Sequence, residues 1–199
     1  LDSEAGSPVI AGVRSLYAEM VDTLRTQMDG LPFVLTGHLH VAGGTESEGA
    51  ERRILVGGQH AVPHDVFPAE ASYVALGHLH KAQAIGRDTV RYSGSLIPLS
   101  ATEQPYQHGV TLVSIGGPQV VSEHIPIVRP VPFLRLPEVG DMRLTELGDH
   151  LAALDLQRDL AIGERPFVQV RLAREGLPHG FREEVDRIAE RFPVLIQHV

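Results

Sequence analysis

The tetrapeptide Gly-His-Leu-His occurs twice, as Gly37-His38-Leu39-His40 and as Gly77-His78-Leu79-His80. Each copy follows a short apolar run, Phe33–Leu35 or Tyr73–Leu76, that reads as a buried strand. Strand exits in α/β sheets are where sites are assembled. Glycine permits a sharp turn there, and the side chains beyond it reach a crevice. In an extended His-x-His the alternate side chains share a face, whereas a turn splays them so that two nearby ions can each take one. Neutral imidazole ligates manganese, iron, zinc and nickel. The chain has no cysteine, so the other ligands must be carboxylates, amides or water. That donor set suits a hydrolytic two-metal site rather than a structural zinc site. The competing reading is chance among 11 histidines, since one His-x-His carries little weight. Duplication of a fold unit would also repeat the tetrapeptide, but the flanking sequences do not repeat. His60, His64, His108, His124, His150, His179 and His198 show no ligand spacing and read as structural or exposed.

The elements that must position these histidines follow from periodicity. Ile10, Val13, Tyr17, Met20, Val21, Leu24 and Met28 recur at helical spacing, and Gly30 is a plausible stop. Residues 1–8 read as a linker or a truncated end. Short strands are expected at Phe33–Leu35, Ile54–Val56, Tyr73–Leu76, Val90–Ser93, Val110–Ile115 and Val120–Ile127. Pro126, Pro130 and Pro132 mark a break in composition, which places a domain boundary near residue 129. Beyond it, strands at Phe133–Leu136, Phe167–Leu172 and Val194–Ile196 alternate with helices. One helix is marked by Leu144, Leu147, Leu151 and Leu154, the other by Phe181, Val185, Ile188 and Phe192. This β-α-β-α-β order suits a small two-layer α/β unit.

Composition bounds the partners. With 199 residues and 43% hydrophobic content, the chain can bury one sizeable core or a medium core plus a small unit. No apolar run is long enough to cross a bilayer and no secretory signal is visible, so a soluble, cytoplasmic protein is expected. The formal net charge is -8. Affinity for nucleic acid comes largely from neutralising phosphates, so a nucleic-acid substrate would need bound metals, a further segment or a partner to supply positive charge. No Gly-x-Gly-x-x-Gly frame, Walker lysine or Gly-x-Ser-x-Gly elbow supports nucleotide binding or serine chemistry.

Three further stretches give these motifs a family. Thr36-Gly37-His38-Leu39, Tyr73-Val74-Ala75-Leu76-Gly77-His78-Leu79-His80-Lys81 and Arg91-Tyr92-Ser93-Gly94-Ser95 resemble the SbcD nuclease family, and Leu99-Ser100 with Glu103 extends the likeness. These nucleases are calcineurin-like metallophosphoesterases of double-strand-break repair. The resemblance covers residues 30–128 well; after 129 it lies in position and layout more than in residues. It implies an α/β fold: residues 1–128 as the second half of a metallophosphoesterase β-sandwich flanked by helices, and 129–199 as a small two-layer capping domain. It implies that His38 and His78 hold the second metal and His80 the first, with two Mn2+ ions (or Mg2+) as cofactors. His40 falls where relatives need no histidine and reads as a surface residue or one behind the ligands. Arg91, Tyr92, Ser93 and Ser95 would form a phosphate-facing loop; their plainer reading is a strand ending in a turn.

The same resemblance implies a DNA exonuclease and endonuclease acting on ends and hairpins in repair, recombination and replication, with an SbcC-type ATPase subunit as partner and a homodimer of the full-length subunit. The family's early motifs, Asp-x-His, Gly-Asp-x-x-Asp and Gly-Asn-His-Asp/Glu, do not occur, and the chain contains no asparagine. The catalytic histidine of those motifs is therefore expected in a missing first half, and this chain is expected to carry part of the site and to be inactive alone. Two rival readings stay open: a phosphatase or phosphodiesterase of the same superfamily acting on a small phosphoester, and a non-catalytic remnant that binds a partner.

Overall fold

The computed structural model describes residues 7–28, 30–47, 61–116 and 119–198. The chain is mixed α/β and divides into two compact units, one of residues 1–97 and 105–127, the other of 98–104 and 128–199.

In the first unit, helix α1 (Pro8–Met28) begins on a proline, which suits a first helical turn that needs no N–H. The chain leaves it through Gly30 at φ 77°. Strands β1 (Val34–His38), β2 (Tyr73–Gly77), β3 (Gln83–Ile85) and β4 (Arg87–Tyr92) form one sheet in the order β1-β2-β4-β3. The first three neighbours run parallel and β3 returns antiparallel to β4. Alternation along the strands turns Leu35, Val74, Leu76, Val90 and Tyr92 into one core with Ile10, Tyr17 and Val21 of α1. The first strand is not buried throughout: Val34 is 44% exposed and Leu35 only 2%. It runs on through Gly37 to His38, so the histidine is the last residue of the strand rather than part of a turn beyond it. Strand β3 gives no sequence signal, because three residues are too few to show alternation. The expected strand Ile54–Val56, and His60, lie outside the described residues.

Strands β5 (Gly109–Ser114) and β6 (Val121–Pro126) pair as an antiparallel hairpin. One of its faces leaves Val110, Leu112, Val121 and Ile125 exposed.

The second unit builds a parallel three-stranded sheet, β7-β8-β9, from β7 (Phe133–Leu136), β8 (Phe167–Val170) and β9 (Leu195–His198). Helices α2 (Leu147–Ala152) and α3 (Phe181–Ala189) connect the strands, and Leu147, Leu151, Val185 and Ala189 share one core with Leu136, Val168 and Val170. The leucine periodicity at 144–154 predicts a longer helix than forms. Residues 144–146 are a tighter 3-10 turn, and the chain bends out after Ala152 to reach Asp155 at φ 49°. Glu103, in the stretch that extends the family likeness, is fully buried and accepts the Leu99 N–H at 2.9 Å.

Candidate metal centre

The two histidine motifs meet because β1 and β2 are parallel neighbours. Their register runs from Val34 opposite Tyr73 to His38 opposite Gly77. His38 therefore ends one strand at the rung where the other ends, and His78 is the next residue. The two imidazoles lie edge to face with ring centres 5.4 Å apart. His38 sits over Gly77: a Cβ there would stand 2.9 Å from its Nδ1. Gly37 is needed for another reason, since a Cβ at that position would come within 2.5 Å of the Tyr17 hydroxyl, which donates to Thr36 O at 3.0 Å.

The turn expected of these glycines falls elsewhere. Neither has a positive φ; the bend is at His78 itself, at φ 107°. A residue with a Cβ in that region costs of order 1–3 kcal/mol and persists only where its surroundings hold it. Both glycines serve close approach instead, of a ring in one case and of a helix side chain in the other.

Tyr92 fixes the loop after His38. It is completely buried; its hydroxyl donates to Leu39 O at 2.5 Å and accepts the Val41 N–H at 2.9 Å. Burial pushes the phenol up to about 12. The Val62 N–H donates to His40 O at 2.8 Å, so the backbone on both sides of His40 is tied down. The His40 ring stands 5.9 Å from that of His78, and its Nε2 lies 3.1 Å from Glu46 Oε1. Neither the loop anchor nor this imidazole–carboxylate pair has a spacing that sequence reading can find.

The Ser93–Ser95 turn lies against the other histidine motif. Ser95 N–H donates to His80 O at 3.0 Å. Gly94 has φ 81°, and a Cβ on it would strike His80 O at 2.7 Å and Ala82 N at 2.8 Å. Ser95 Oγ is 3.1 Å from Nδ1 of His108, a buried histidine, and Ser93 Oγ accepts the Thr111 N–H at 3.1 Å. Three of the four candidate substrate-binding residues, Tyr92, Ser93 and Ser95, thus have hydroxyls engaged within the fold. Arg91 shares a rung with Ala75 and so faces the side of the sheet opposite Tyr92. It lies close enough to Tyr73 to pull down a phenol that burial raises, and its Nε is buried without a partner among the described residues.

The ring-centre spacing of His38 and His78 can be set against that of two imidazoles on one ion. An imidazole-bound divalent ion lies about 2.1 Å from the nitrogen, hence about 3.3 Å from the ring centre, and two ligands of one ion then have ring centres about 4.7–5.4 Å apart. At such an ion the 5.4 Å of His38–His78 corresponds to an angle of about 110° and the 5.9 Å of His40–His78 to one of about 127°. Among the described residues no group of three or more histidine, aspartate or glutamate side chains is gathered as a metal would need. Two imidazoles would supply only part of such a group.

No family model matches the chain. It is 50% identical over 168 residues to the SbcD subunit of the SbcCD nuclease of Rhodobacter capsulatus, covering 83% of this chain and 40% of that protein. It is 33% identical over 168 residues to the Escherichia coli K12 protein of the same name, covering 82% and 39%, and 41% identical over 103 residues to that of Bacillus subtilis, covering 51% and 25%. The matched region is the C-terminal part of the Rhodobacter protein. The chain spans about two fifths of the length of the first two relatives.

Proposed function

The chain is a homologue of the C-terminal part of the SbcD nuclease subunits, and from that premise we propose that the full-length protein is a metal-dependent nuclease hydrolysing phosphodiester bonds at DNA ends and hairpins in repair and recombination. The observation that carries the reading is the convergence of His38 and His78 at adjacent parallel strand ends. On this reading His38 and His78 hold one ion and His80 contributes to a second, with manganese or magnesium as the resident metals. The ions would polarise the phosphate and supply a nucleophilic water at neutral pH. The chain's own part is orientation. Gly77 leaves room for the His38 ring, Tyr92 pins the loop behind it, and Gly94 lets the Ser93–Ser95 turn grip the His80 backbone.

Residues 1–128 would then be the later half of the nuclease domain and 129–199 its capping domain. The carboxylates, the amide ligand and the catalytic histidine would come from outside this chain, whose sequence lacks the early motifs. An SbcC-type ATPase subunit and a second copy of the full-length protein are the proposed partners, and the cytoplasm the proposed location. No helix among the described residues is long and apolar enough to cross a membrane. The test is cleavage of a DNA hairpin by the full-length protein with manganese. His38→Ala and His78→Ala should each abolish cleavage while the far-ultraviolet spectrum and the melting temperature stay near wild type. Cleavage at wild-type rates by either variant would refute the assignment.

A further inference from the structure

Among the described residues one histidine is buried, His108, at 3% exposure. It stands immediately before β5, and its carbonyl accepts the Ile127 N–H at 2.9 Å, so its backbone is fixed to the base of the hairpin. A buried imidazole needs a partner for its ring nitrogens. Nδ1 of His108 lies 3.1 Å from the carbonyl oxygen of Ser95 and 3.1 Å from Ser95 Oγ. A carbonyl oxygen can only accept, so a bare Nδ1 would set lone pair against lone pair at that distance. The proton therefore sits on Nδ1, where it serves both oxygens of Ser95.

Ser95 is thereby held on two sides. Its carbonyl and hydroxyl are tied to His108, and its N–H donates to His80 O at 3.0 Å. Ser93, at the other end of the same turn, is tied to β5 by accepting the Thr111 N–H. The sheet itself does not hold His80: β2 ends at Gly77 and β3 begins only at Gln83. The backbone at His80 is instead anchored from outside the sheet, through Ser95, to a histidine at the base of the hairpin.

A plain explanation is that His108 is a core residue whose polar atoms are satisfied locally. That accounts for the bond to Ser95 but not for where the bond leads, which is one residue away from a candidate ligand. We propose that His108 is a positioning residue for His80: its Nδ1–H holds the Ser93–Ser95 turn in the place from which Ser95 fixes the His80 backbone. The proposal rests on the reading of His80 as a metal ligand. Residues that orient ligands from behind are typically worth about 10–100-fold in metal affinity.

The variants separate hydrogen bonding from packing. His108→Asn keeps an amide N–H where Nδ1 stood, because both nitrogens are bonded to Cγ. His108→Gln carries its amide one bond further out, and His108→Leu carries none. In the full-length protein, assayed well below the melting temperature of each variant, His108→Gln and His108→Leu should raise the manganese concentration for half-maximal cleavage of a DNA hairpin by about tenfold. Cleavage at saturating manganese should stay near wild type, and His108→Asn should restore the wild-type requirement. If His108→Leu does not fold, the Asn and Gln pair carries the comparison. In the 199-residue chain, two-bond nitrogen–proton correlations should place the proton on Nδ1 of His108. The Ser95 amide should exchange with solvent faster in the Gln and Leu variants and at the wild-type rate in the Asn variant. An unchanged manganese requirement in the Gln and Leu variants, alongside loss of cleavage in His80→Ala, would overturn the proposal and spare the reading of His80. A loss in His108→Asn as large as in His108→Leu would also overturn it, leaving His108 a packing role. Wild-type cleavage by His80→Ala at limiting manganese would remove the ligand reading and the proposal with it.

Discussion

Replacing Gly77 by alanine should damage ion binding without damaging the fold. The new Cβ would stand 2.9 Å from His38 Nδ1, and ordinary contact begins at 3.4 Å. The ring must therefore retreat by about 0.5 Å, which is the tolerance of a functional metal constellation. Gly77 does not have a positive φ, so alanine brings no backbone strain there, and the atom it displaces belongs to a rotatable side chain. The expected change in stability is under about 1 kcal/mol. The expected change in affinity for an imidazole-seeking ion such as nickel is about tenfold, equivalent to about 1.4 kcal/mol. Gly37→Ala is the contrasting case. Its Cβ would meet the Tyr17 hydroxyl at 2.5 Å and push a buried phenol off Thr36 O, at a cost of about 1–3 kcal/mol, while leaving His38 and His78 facing each other. Nickel titration by calorimetry and thermal unfolding, on the same samples of both variants, separate the two effects. If Gly77→Ala binds nickel as wild type does, the His38 ring is not a ligand in the position described, and the reasoning fails.

Tyr92→Phe should lose about 2–4 kcal/mol by denaturant unfolding, because it strands the Leu39 carbonyl and the Val41 N–H together inside the core. The same phenol gives a pH signature. Its folded pKa, about 12, lies above its ordinary 10.0, so the folded state favours the neutral form; that stabilisation is complete below pH 10, declines through pH 12, and should vanish from the pH profile of Tyr92→Phe. The 199-residue chain alone, with manganese and an end-labelled duplex, should release no nucleotides; metal-dependent release by a clean preparation would contradict the partial-site reading. Limited thermolysin digestion should cut first near Val128, which is 91% exposed; a first cut inside 133–198 would count against a separately stable second unit.

Much of the site is legible in the sequence because strand position and residue chemistry are local properties. Two Gly-His motifs at the ends of apolar runs suffice to anticipate adjacent parallel strands, since a parallel pair puts both exits on one edge. What cannot be read depends on contacts distant in sequence. Tyr92, beside the two serines, reads as a substrate contact; its burial and its bonds to Leu39 and Val41 come from the order β1-β2-β4-β3, which places β4 under the loop after His38. His108 shows no ligand pattern and reads as structural or exposed; the fold makes it structural, but that Ser95 is its partner could not be read. The glycines read as turn formers from their type, whereas the space they leave is claimed by His38, by Tyr17 and by the His80 backbone. His40 does not read as a ligand, and its pairing with Glu46 is a loop contact without periodicity.

On the proposed reading, His38 and His78 share an ion. An anomalous-difference map from crystals of the full-length protein grown with manganese tests it most directly. The expected peak lies about 2.1 Å from one ring nitrogen of each of the two histidines. A manganese peak bound elsewhere, with His38 and His78 both outside its coordination, would contradict it.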